Sequence, residues 1–258
     1  YWISQRRRRV FFFVFRNDTK YAKSLDSKYE NEDIVFEEHK YDDYLFQTGL
    51  FATQFPIKQA PVKNRQVFYE LEDDIVAVSD NFTGTVWNTG VMRHGKYYSI
   101  ETVANFDGNP ITLGEILQDE TEVPDKYFLT DKAKLEKFQY LRGPKKLERT
   151  SADGHTYIYS EGGMSPYDDL NLPGRTMLTS EGTVNRSTHF LFVNNKYRLL
   201  TPIEAERLQD FPDDWTAYKK LEDGTVVEVS DKMRMFFMGN ALVTEIVRKI
   251  GDFIKTID

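Results

Sequence analysis

The sequence has 258 residues, 40% of them hydrophobic and 29% charged, which is enough for one good core or two modest ones. Its net charge of -7 argues against a protein that coats nucleic acid regardless of sequence, because phosphate contacts dominate non-specific affinity. The absence of cysteine excludes disulfides, thiolate metal sites and a cysteine nucleophile on this chain. The histidines His39, His94 and His155 are scattered singly and do not support a metal site.

No apolar run approaches the roughly 20 residues that span a bilayer, and the most apolar stretch, residues 10–15, stops at Arg16. The start SQRRRRVFFFVF only superficially resembles a twin-arginine export signal, since its apolar segment is short and no small-residue cleavage site follows. We therefore expect neither a membrane protein nor an exported one. Because the chain opens on Tyr1 inside an apolar strand pattern, we expect it to be a piece of a longer protein.

The first half of the chain predicts mainly strands. Residues 9–15 predict a short buried strand, since a run of Val and Phe is bounded by charge. Residues 66–101 contain the strand-like runs QVFYEL, DIVAVS, GTVWN and KYYSIE, separated by Asp-Asn, Asn-Thr-Gly and His-Gly turns. They predict a small twisted sheet or barrel. Acidic residues concentrate between Asp26 and Asp43, whereas basic clusters lie at 6–9, 142–149 and 175–198, so one side of the molecule could face DNA.

The middle of the chain predicts two helices and a long loop. The helices are expected at residues 112–117 and 131–141, the second closed by Gly143. Residues 150–186 are rich in Gly, Ser, Thr, Asn and Asp, which predicts loops with short strands near Tyr157 and Thr176. Long loops in compact domains usually bind something, so this segment is a candidate recognition surface.

The sharpest local signal is Thr201-Pro202-Ile203-Glu204, which predicts a capping box and a helix over residues 202–209. Asp223-Gly224 predicts a tight hairpin. Ser230 is expected to cap a helix to about residue 237, broken at Gly239-Asn240. A last helix should present one apolar face, formed by Leu242, Ile246, Ile250 and Phe253.

The arginine run 6–9 needs anions or solvent, because guanidiniums at the mouth of a buried strand are costly without them. Side chains alternate along a strand, so Gln5, Arg7 and Arg9 share one face and Arg6 and Arg8 the other. One set could point into a polar site. Taken alone, however, this feature is better explained as a solvated basic strand end.

Four blocks in order carry a resemblance: QRRRRVF, PGRTMLTSEGTVNRSTHF, RLLTPIEAERLQDFPDDW and FMGNALV. Together they resemble the C-terminal half of the cytosine-C5 DNA methyltransferases, closely at both ends and over residues 173–250, whereas residues 17–150 match no pattern. Two positions depart from the family: Ser4 stands where proline is common and Asp210 where glycine is usual. A positive φ at Asp210 is tolerated better than at most residues.

The resemblance implies an α/β fold in two parts. One is the terminal strand and helices of a Rossmann-like, S-adenosylmethionine-dependent methyltransferase domain; the other is a mostly β, loop-rich target recognition domain. The implied divisions are residues 1–16 and 216–258 for the catalytic domain and 17–215 for the recognition domain with its scaffold motif. The scaffold motif is implied to comprise Arg198, Thr201, Glu204, Arg207 and Gln209, with Arg207 as an internal salt-bridge partner.

The resemblance also implies the residue roles. Arg9 would hydrogen-bond a flipped-out cytosine, Arg7 would hold the catalytic loop or a phosphate, and Gln5 would support both. Asn240 and Ala241 would border S-adenosylmethionine, whose carboxylate suits free N–H groups at a helix start. The side chains suited to base edges are Arg175, Thr176, Thr179, Ser180, Asn185, Arg186, Ser187 and His189. About half of these should instead contact phosphate or loop backbone; Lys145 and Lys146 are phosphate contacts or simply solvated.

In this family a thiolate adds to C6 of the flipped cytosine before methyl transfer to C5. The thiolate, an assisting Glu and the glycine-rich loop for the methyl donor normally precede the first block, so this chain should be inactive without an N-terminal half or subunit that supplies them. We expect that half, duplex DNA and S-adenosylmethionine, bound mainly by the other half, as partners, in the cytoplasm of a prokaryote or on phage DNA. A restriction-modification system is the expected setting.

Two other functions are compatible with these blocks. A non-catalytic DNA-binding protein derived from such an enzyme would bind duplex DNA without a methyl-donor-binding partner, but it has no use for Gln5, Arg7, Arg9 and Asn240. An RNA methyltransferase relative would prefer RNA over DNA as a competitor.

Overall fold

The computed structural model describes residues 2–29, 42–62 and 65–257. Much of the acidic segment, including His39, therefore lies outside the described residues. The α-helices are α1 (Lys20–Tyr29), α2 (Leu50–Gln54), α3 (Ile75–Asn81), α4 (Lys132–Arg142), α5 (Pro202–Leu208), α6 (Asp231–Asn240) and α7 (Thr244–Ile254). The strands are β1 (Ile57–Gln59), β2 (Gln66–Glu70), β3 (Thr89–Arg93), β4 (Lys96–Ile100), β5 (Thr102–Ala104), β6 (Lys145–Thr150), β7 (Thr156–Glu161), β8 (Leu191–Val193), β9 (Lys196–Arg198), β10 (Tyr218–Lys220) and β11 (Val226–Glu228).

These elements form two compact units. The first unit comprises Phe11–Gly108 and Ile246–Asp258, and the second comprises Trp2–Val10 and Asn109–Glu245. Sheets among the described residues have two or three strands and pair antiparallel. The structure is therefore a mixed α/β arrangement with small sheets. No helix of the described residues combines the length and the apolarity needed to cross a bilayer.

The first unit is built on the sheet β2-β4-β3. His94 and Gly95, with φ of 49° and 74°, form the turn that connects β3 to β4, so the predicted His-Gly turn is confirmed. Two other strand predictions in this region are wrong. DIVAVS forms α3, because Asp74 accepts the N–H of Val76 (2.9 Å) and caps a helix there. GTVWN is not a strand, since β3 begins only at Thr89.

The apolar segment, residues 11–15, is not the buried strand that the sequence predicted. Phe12 and Val14 are each 86% exposed, whereas Phe11, Phe13 and Phe15 are half-buried. Phe13 and Phe15 pack with the ring of Tyr21, at centroid distances of 6.4 and 4.9 Å. The period of two is kept, but within the described residues only one of the two faces is covered.

The second unit has its apolar core between α5, α6 and the turn Gly114–Ile116. Leu113, Met177, Leu191, Ala205 and Leu208 are all fully buried there. The Asp223-Gly224 hairpin is confirmed, with Gly224 at φ +88° between β10 and β11. The helix expected over residues 112–117 is only a 3-10 turn, and the strand expected near Thr176 is an isolated parallel bridge between Gln5 and Gly174.

The C-terminal helices differ in detail from prediction. The helix α6 continues through Gly239 and Asn240 rather than breaking there, and the Ser230 side chain makes no capping hydrogen bond. Leu242 precedes α7 instead of lying on its apolar face. Gly143 ends α4 as predicted, but with φ of -67°, so the stop does not use the left-handed conformation that glycine favours.

Candidate functional site

The two ends of the second unit meet at Arg7. Its Nη1 donates to the carbonyl of Met177 (2.7 Å) and its Nη2 to the carbonyl of Gly239 (3.1 Å), 232 residues along the chain. Arg7 makes no ion pair to a carboxylate of the described residues, and its buried Nε has no partner there. Burial and the charge of Arg9 lower the pKa of Arg7. A half-buried guanidinium that meets only neutral carbonyls is suited to receive an anion.

Gln5 locks the neighbouring backbone in place. It is 2% exposed, its Nε2 donates to the carbonyl of Leu208 (3.2 Å), and its Oε1 accepts the N–H of Met177 (2.9 Å). Ser4, which replaces the family's common proline, adds a hydrogen bond to the same Leu208 carbonyl (3.1 Å). Because the amide is used at both ends, Gln5 fixes the position of Arg7 relative to Met177.

Arg9 is placed differently from Arg7. Its side chain is exposed, and its Nη1 donates only to the adjacent carbonyl of Arg8 (2.7 Å). The alternation that the sequence predicted therefore buries Gln5 and half-buries Arg7 but leaves Arg9 in solvent. A role for Arg9 at a cytosine remains a prediction.

Gly239 allows the end of α6 to approach the backbone of Leu178 and Thr179 closely. A Cβ atom at this position would lie 2.3 Å from the amide nitrogen of Thr179 and 2.5 Å from the carbonyl carbon of Leu178. Both neighbours are backbone, so neither can move aside as a side chain would. Glycine is therefore required for this close approach.

Asn240 and Ala241 lie at the end of α6 rather than at a helix start, so the predicted physical reason for a carboxylate site is wrong. The N–H of Ala241 is bonded to the carbonyls of Phe237 (2.9 Å) and Met238 (3.3 Å). At the start of α7, the N–H of Thr244 is bonded to the carbonyl of Gln209 (3.1 Å) and that of Glu245 to the carboxylate of Asp210 (3.1 Å). Asn240 does expose its side-chain amide, which donates to Phe236 (3.2 Å). These residues do not by themselves form a cradle for the carboxylate of S-adenosylmethionine.

The first part of the predicted scaffold motif, formed by Arg198, Thr201 and Glu204, is a buried hydrogen-bond network. Thr201 and Glu204 form the capping box, with Glu204 accepting the N–H of Thr201 (2.9 Å). The carboxylate of Glu204 also accepts hydrogen bonds from both terminal nitrogens of Arg198 (2.8 and 2.7 Å) and from the N–H of Gln118 (2.9 Å). Arg198 is 2% exposed and Glu204 is fully buried. A buried pair with every oxygen satisfied holds the start of α5 against the rest of the unit.

The remaining motif residues also bond within the protein, with Gln209 fully buried and Arg207 partly exposed. Arg207 pairs with Asp213 (2.7 Å), which confirms its predicted salt-bridge role. Gln209 donates to the carbonyl of Met238 (2.6 Å). Asp210 adopts φ of 63°, so the positive φ of the usual glycine is kept by an aspartate.

Two networks were missed from the sequence. The carboxylate of Asp168 accepts hydrogen bonds from Arg142 (2.6 Å), Arg175 (2.5 Å) and the N–H of Phe190 (2.8 Å). Both arginines also donate to the carbonyl of Thr188 (3.0 and 2.9 Å). Burial alone would raise the pKa of Asp168, but the hydrogen bond from Arg175 and the nearby positive charges lower it to about 2. The network ties together the two ends of the loop of residues 168–190, which carries most of the candidate base-reading residues and is called the recognition loop below.

The second missed network joins α5 to α6. Glu206 is fully buried and accepts Arg234 at 2.9 and 3.0 Å, together with the N–H of Thr216 (2.9 Å). Arg234 also reaches Asp214 (3.0 Å). Its partners are 20 and 28 residues away, so no local spacing in the sequence could have indicated them.

The candidate base-reading residues divide into two groups. Several are held inside the protein: Arg175 as described, His189 against Glu181 (3.0 Å), and Arg186 against Glu161 (3.0 Å) and the carbonyl of Leu141 (2.8 Å). In the same group, Asn185 accepts the N–H groups of Ser187 (2.8 Å) and Thr188, Thr176 donates to Arg6, and Lys145 pairs with Glu161 (3.0 Å). The exposed ones are Thr179, Ser180 and Lys146. All ten remain predictions as DNA contacts.

Two comparisons with known proteins bear on this arrangement. The family described as C-5 cytosine-specific DNA methylase matches residues 1–256. The chain is also similar to the Type II methyltransferase M.Sau3AI of Staphylococcus aureus, with 46% identity over 258 residues, which is 100% of this chain and 57% of that relative. It thus spans just over half of the relative's length. The match to nearly every residue shows that the chain belongs to the C-5 cytosine-specific DNA methylase family.

Proposed function

We propose that this chain is the DNA-recognition and cofactor-rim part of a DNA (cytosine-5-)-methyltransferase. The enzyme would transfer a methyl group from S-adenosylmethionine to C5 of a cytosine flipped out of a specific duplex sequence. The Type II name of the relative supports a place in a restriction-modification system. The observation that carries the proposal is the bridge from Arg7 to Met177 and Gly239, which joins the arginine run, the recognition loop and the Gly-Asn block at one point.

The residues at this junction suit a pocket for an extruded base. Flipping costs roughly a few kcal/mol of lost stacking, which contacts outside the duplex must offset. Arg7 supplies a positive charge without a carboxylate partner among the described residues, and Gln5 keeps it in position. Arg9, exposed two residues further on, is free to turn toward the base or a phosphate.

The nucleophile must come from elsewhere, because the chain has no cysteine. S-adenosylmethionine supplies the methyl group in this family. Since the N–H groups of Ala241, Thr244 and Glu245 are used within the protein, we propose that a cysteine-bearing part binds most of this cofactor. Asn240 would then contribute only its exposed amide to the rim.

The apolar segment, residues 11–15, is the proposed docking site for that part. Phe12 and Val14 present one exposed apolar side, while the other side packs on Tyr21 and Phe253. Strands of parallel sheets in α/β proteins are covered on both faces, so a strand pattern covered on one face fits a sheet that another segment completes. The relative is longer than this chain by a length that could supply such a segment.

Reconstitution tests the proposal. The chain is mixed with the part of the Staphylococcus aureus relative that it does not match, together with S-adenosylmethionine and a duplex library. We expect 5-methylcytosine at one short sequence, with the intact relative as the positive control. A folded mixture that incorporates no methyl group into any duplex would overturn the proposal. Sequence-specific binding by the chain alone, unchanged by the added part, would instead identify a non-catalytic DNA-binding protein.

A further inference from the structure

Strands β6 and β7 form a hairpin, called the ribbon here, that is exposed along most of its length. Leu147, Tyr157 and Ile158 are 40%, 41% and 53% exposed. The pairing is continuous over six residues a side, from Lys145 opposite Glu161 to Thr150 opposite Thr156. Two-stranded hairpins are marginally stable alone, so one with exposed apolar side chains calls for an anchor and a partner.

The anchor lies at the base of the ribbon. Arg186 and Lys145 both pair with Glu161 at 3.0 Å. Arg186 also donates to the carbonyls of Leu141 (2.8 Å) and Gly143 (3.3 Å) at the end of α4, and Lys145 to that of Leu141 (2.9 Å). A clamp of this kind holds the base of the ribbon against the end of α4 and the recognition loop. It also gives Arg186 a structural task.

One face of the ribbon carries a prearranged cation. The register places Arg149 opposite Tyr157 and Leu147 opposite Tyr159 on the same face. The guanidinium of Arg149 lies 4.0 Å from the centroid of the Tyr159 ring. It makes no ion pair to a carboxylate in the part of the chain that the structure describes, unlike Lys145 at the base. This cation–π contact restricts the position of the guanidinium while leaving its donors free.

We infer that the ribbon is a second DNA-reading element, which enters the major groove with Arg149 toward base edges and Lys146 toward phosphate. The inference rests on the proposed function. A two-stranded ribbon fits the major groove, and six residues at about 3.4 Å each cross its roughly 12 Å width. An arginine held in place with free donors matches the O6 and N7 acceptors of guanine. The exposed Tyr157 beside Arg149 supplies an apolar contact for the same base step.

The test uses the reconstituted enzyme and a library of duplexes with randomised centres. Arg149→Ala should lower methylation of the preferred sequence about 10- to 100-fold and relax the choice at one base pair. Arg149→Lys should not restore that choice, because an ammonium cannot form the planar two-point contact. Lys146→Ala should weaken all sequences alike and reduce the salt dependence by about one phosphate contact. Lys219→Ala, which removes a charge from the exposed strand β10, is the matched control and should change neither.

The outcomes separate the two proposals. If the unsubstituted enzyme methylates no duplex while the intact relative does, the proposed function and the ribbon assignment both fall. If it methylates one sequence and both Arg149→Ala and Tyr157→Ala methylate that sequence at the same rate, only the ribbon assignment falls. Thermal unfolding of each variant should match the unsubstituted chain, because these side chains are exposed.

Discussion

The scaffold motif and the apolar segment, residues 11–15, differ in whether their side chains find partners within the described residues. In the scaffold, Arg198 and Glu204 are buried and both carboxylate oxygens of Glu204 are bonded. In the apolar segment, Phe12 and Val14 stand almost fully exposed. A buried charge without a partner is strongly destabilising, so the fold must supply the partner itself. An exposed apolar side chain is tolerated in the folded chain and often marks a site of contact with another protein segment. The comparison shows that the scaffold motif is satisfied within the described residues, whereas the segment that we propose as a docking site still exposes apolar side chains.

The largest expected effect is on the scaffold. Glu204→Ala would leave Arg198 as a buried charge without its partner, so the free energy of unfolding should fall by about 3–5 kcal/mol. Asp213→Ala, which breaks the half-exposed pair with Arg207, should cost only about 0–1 kcal/mol. Urea unfolding of both variants measures the difference. Equal losses would show that burial does not distinguish these pairs.

The buried Asp168 should make this part of the molecule sensitive to acid. Its pKa is lowered from 3.8 to about 2, so its contribution, about 2 kcal/mol, is fully present above about pH 4. It is lost as the pH falls through about 2, where the folded-state carboxylate becomes protonated. Unfolding curves from pH 5 to pH 2 should show this loss in the unsubstituted chain. Asp168→Asn should be less stable at pH 5 and should show a flatter dependence; an identical slope would contradict the assignment.

The close approach at Gly239 gives a smaller effect. Gly239→Ala places a Cβ against the backbone of Thr179, so stability should fall by about 1–3 kcal/mol and the Arg7 contact should loosen. Gly251→Ala is the matched control in α7, where an added Cβ meets nothing within 4 Å. It should leave stability unchanged or raise it by roughly 0.5–1 kcal/mol. Unfolding midpoints compare the two, and a neutral Gly239→Ala would remove the argument for close contact.

The smallest effect on the chain itself is expected in the apolar segment. Phe12→Ser should change the free energy of unfolding by no more than about 0.5 kcal/mol, since the ring is exposed. The same substitution should weaken binding of the cysteine-bearing part, measured by titration calorimetry. Phe13→Ala, on the covered side near Tyr21 and Phe253, should instead lower the stability of the chain. If Phe12→Ser binds the other part with unchanged affinity, the segment is not the docking site.

Short sequence motifs correctly predicted the features that depend only on residues close together along the chain. Thr201 and Glu204 are three residues apart, and His94-Gly95 form one turn, so their structures follow from neighbours along the chain. The short run DIVAVS was mistaken for a strand because a four-residue apolar pattern fits both periods, and the Asp74 cap decided for the helix.

Long-range partners could not be predicted in this way. Arg142 finds Asp168 26 residues away, and Arg234 finds Glu206 28 residues away, with no spacing rule to indicate either. The arginine run and the Gly-Asn block lie at opposite ends of the sequence, and no spacing between them indicates a contact. Only the structure identified Arg7 as the residue that joins them, and the carbonyls of Met177 and Gly239 as its acceptors.

We propose that Arg7 supplies positive charge at the site that receives an extruded cytosine. The most direct measurement is methyl transfer by the reconstituted enzyme carrying Arg7→Ala, with unfolding followed in parallel. We expect incorporation of methyl groups into DNA to fall about 100- to 1,000-fold, as when a preorganised hydrogen-bond donor is removed, while the variant stays folded. Methylation by Arg7→Ala at the rate of the unsubstituted enzyme would contradict it.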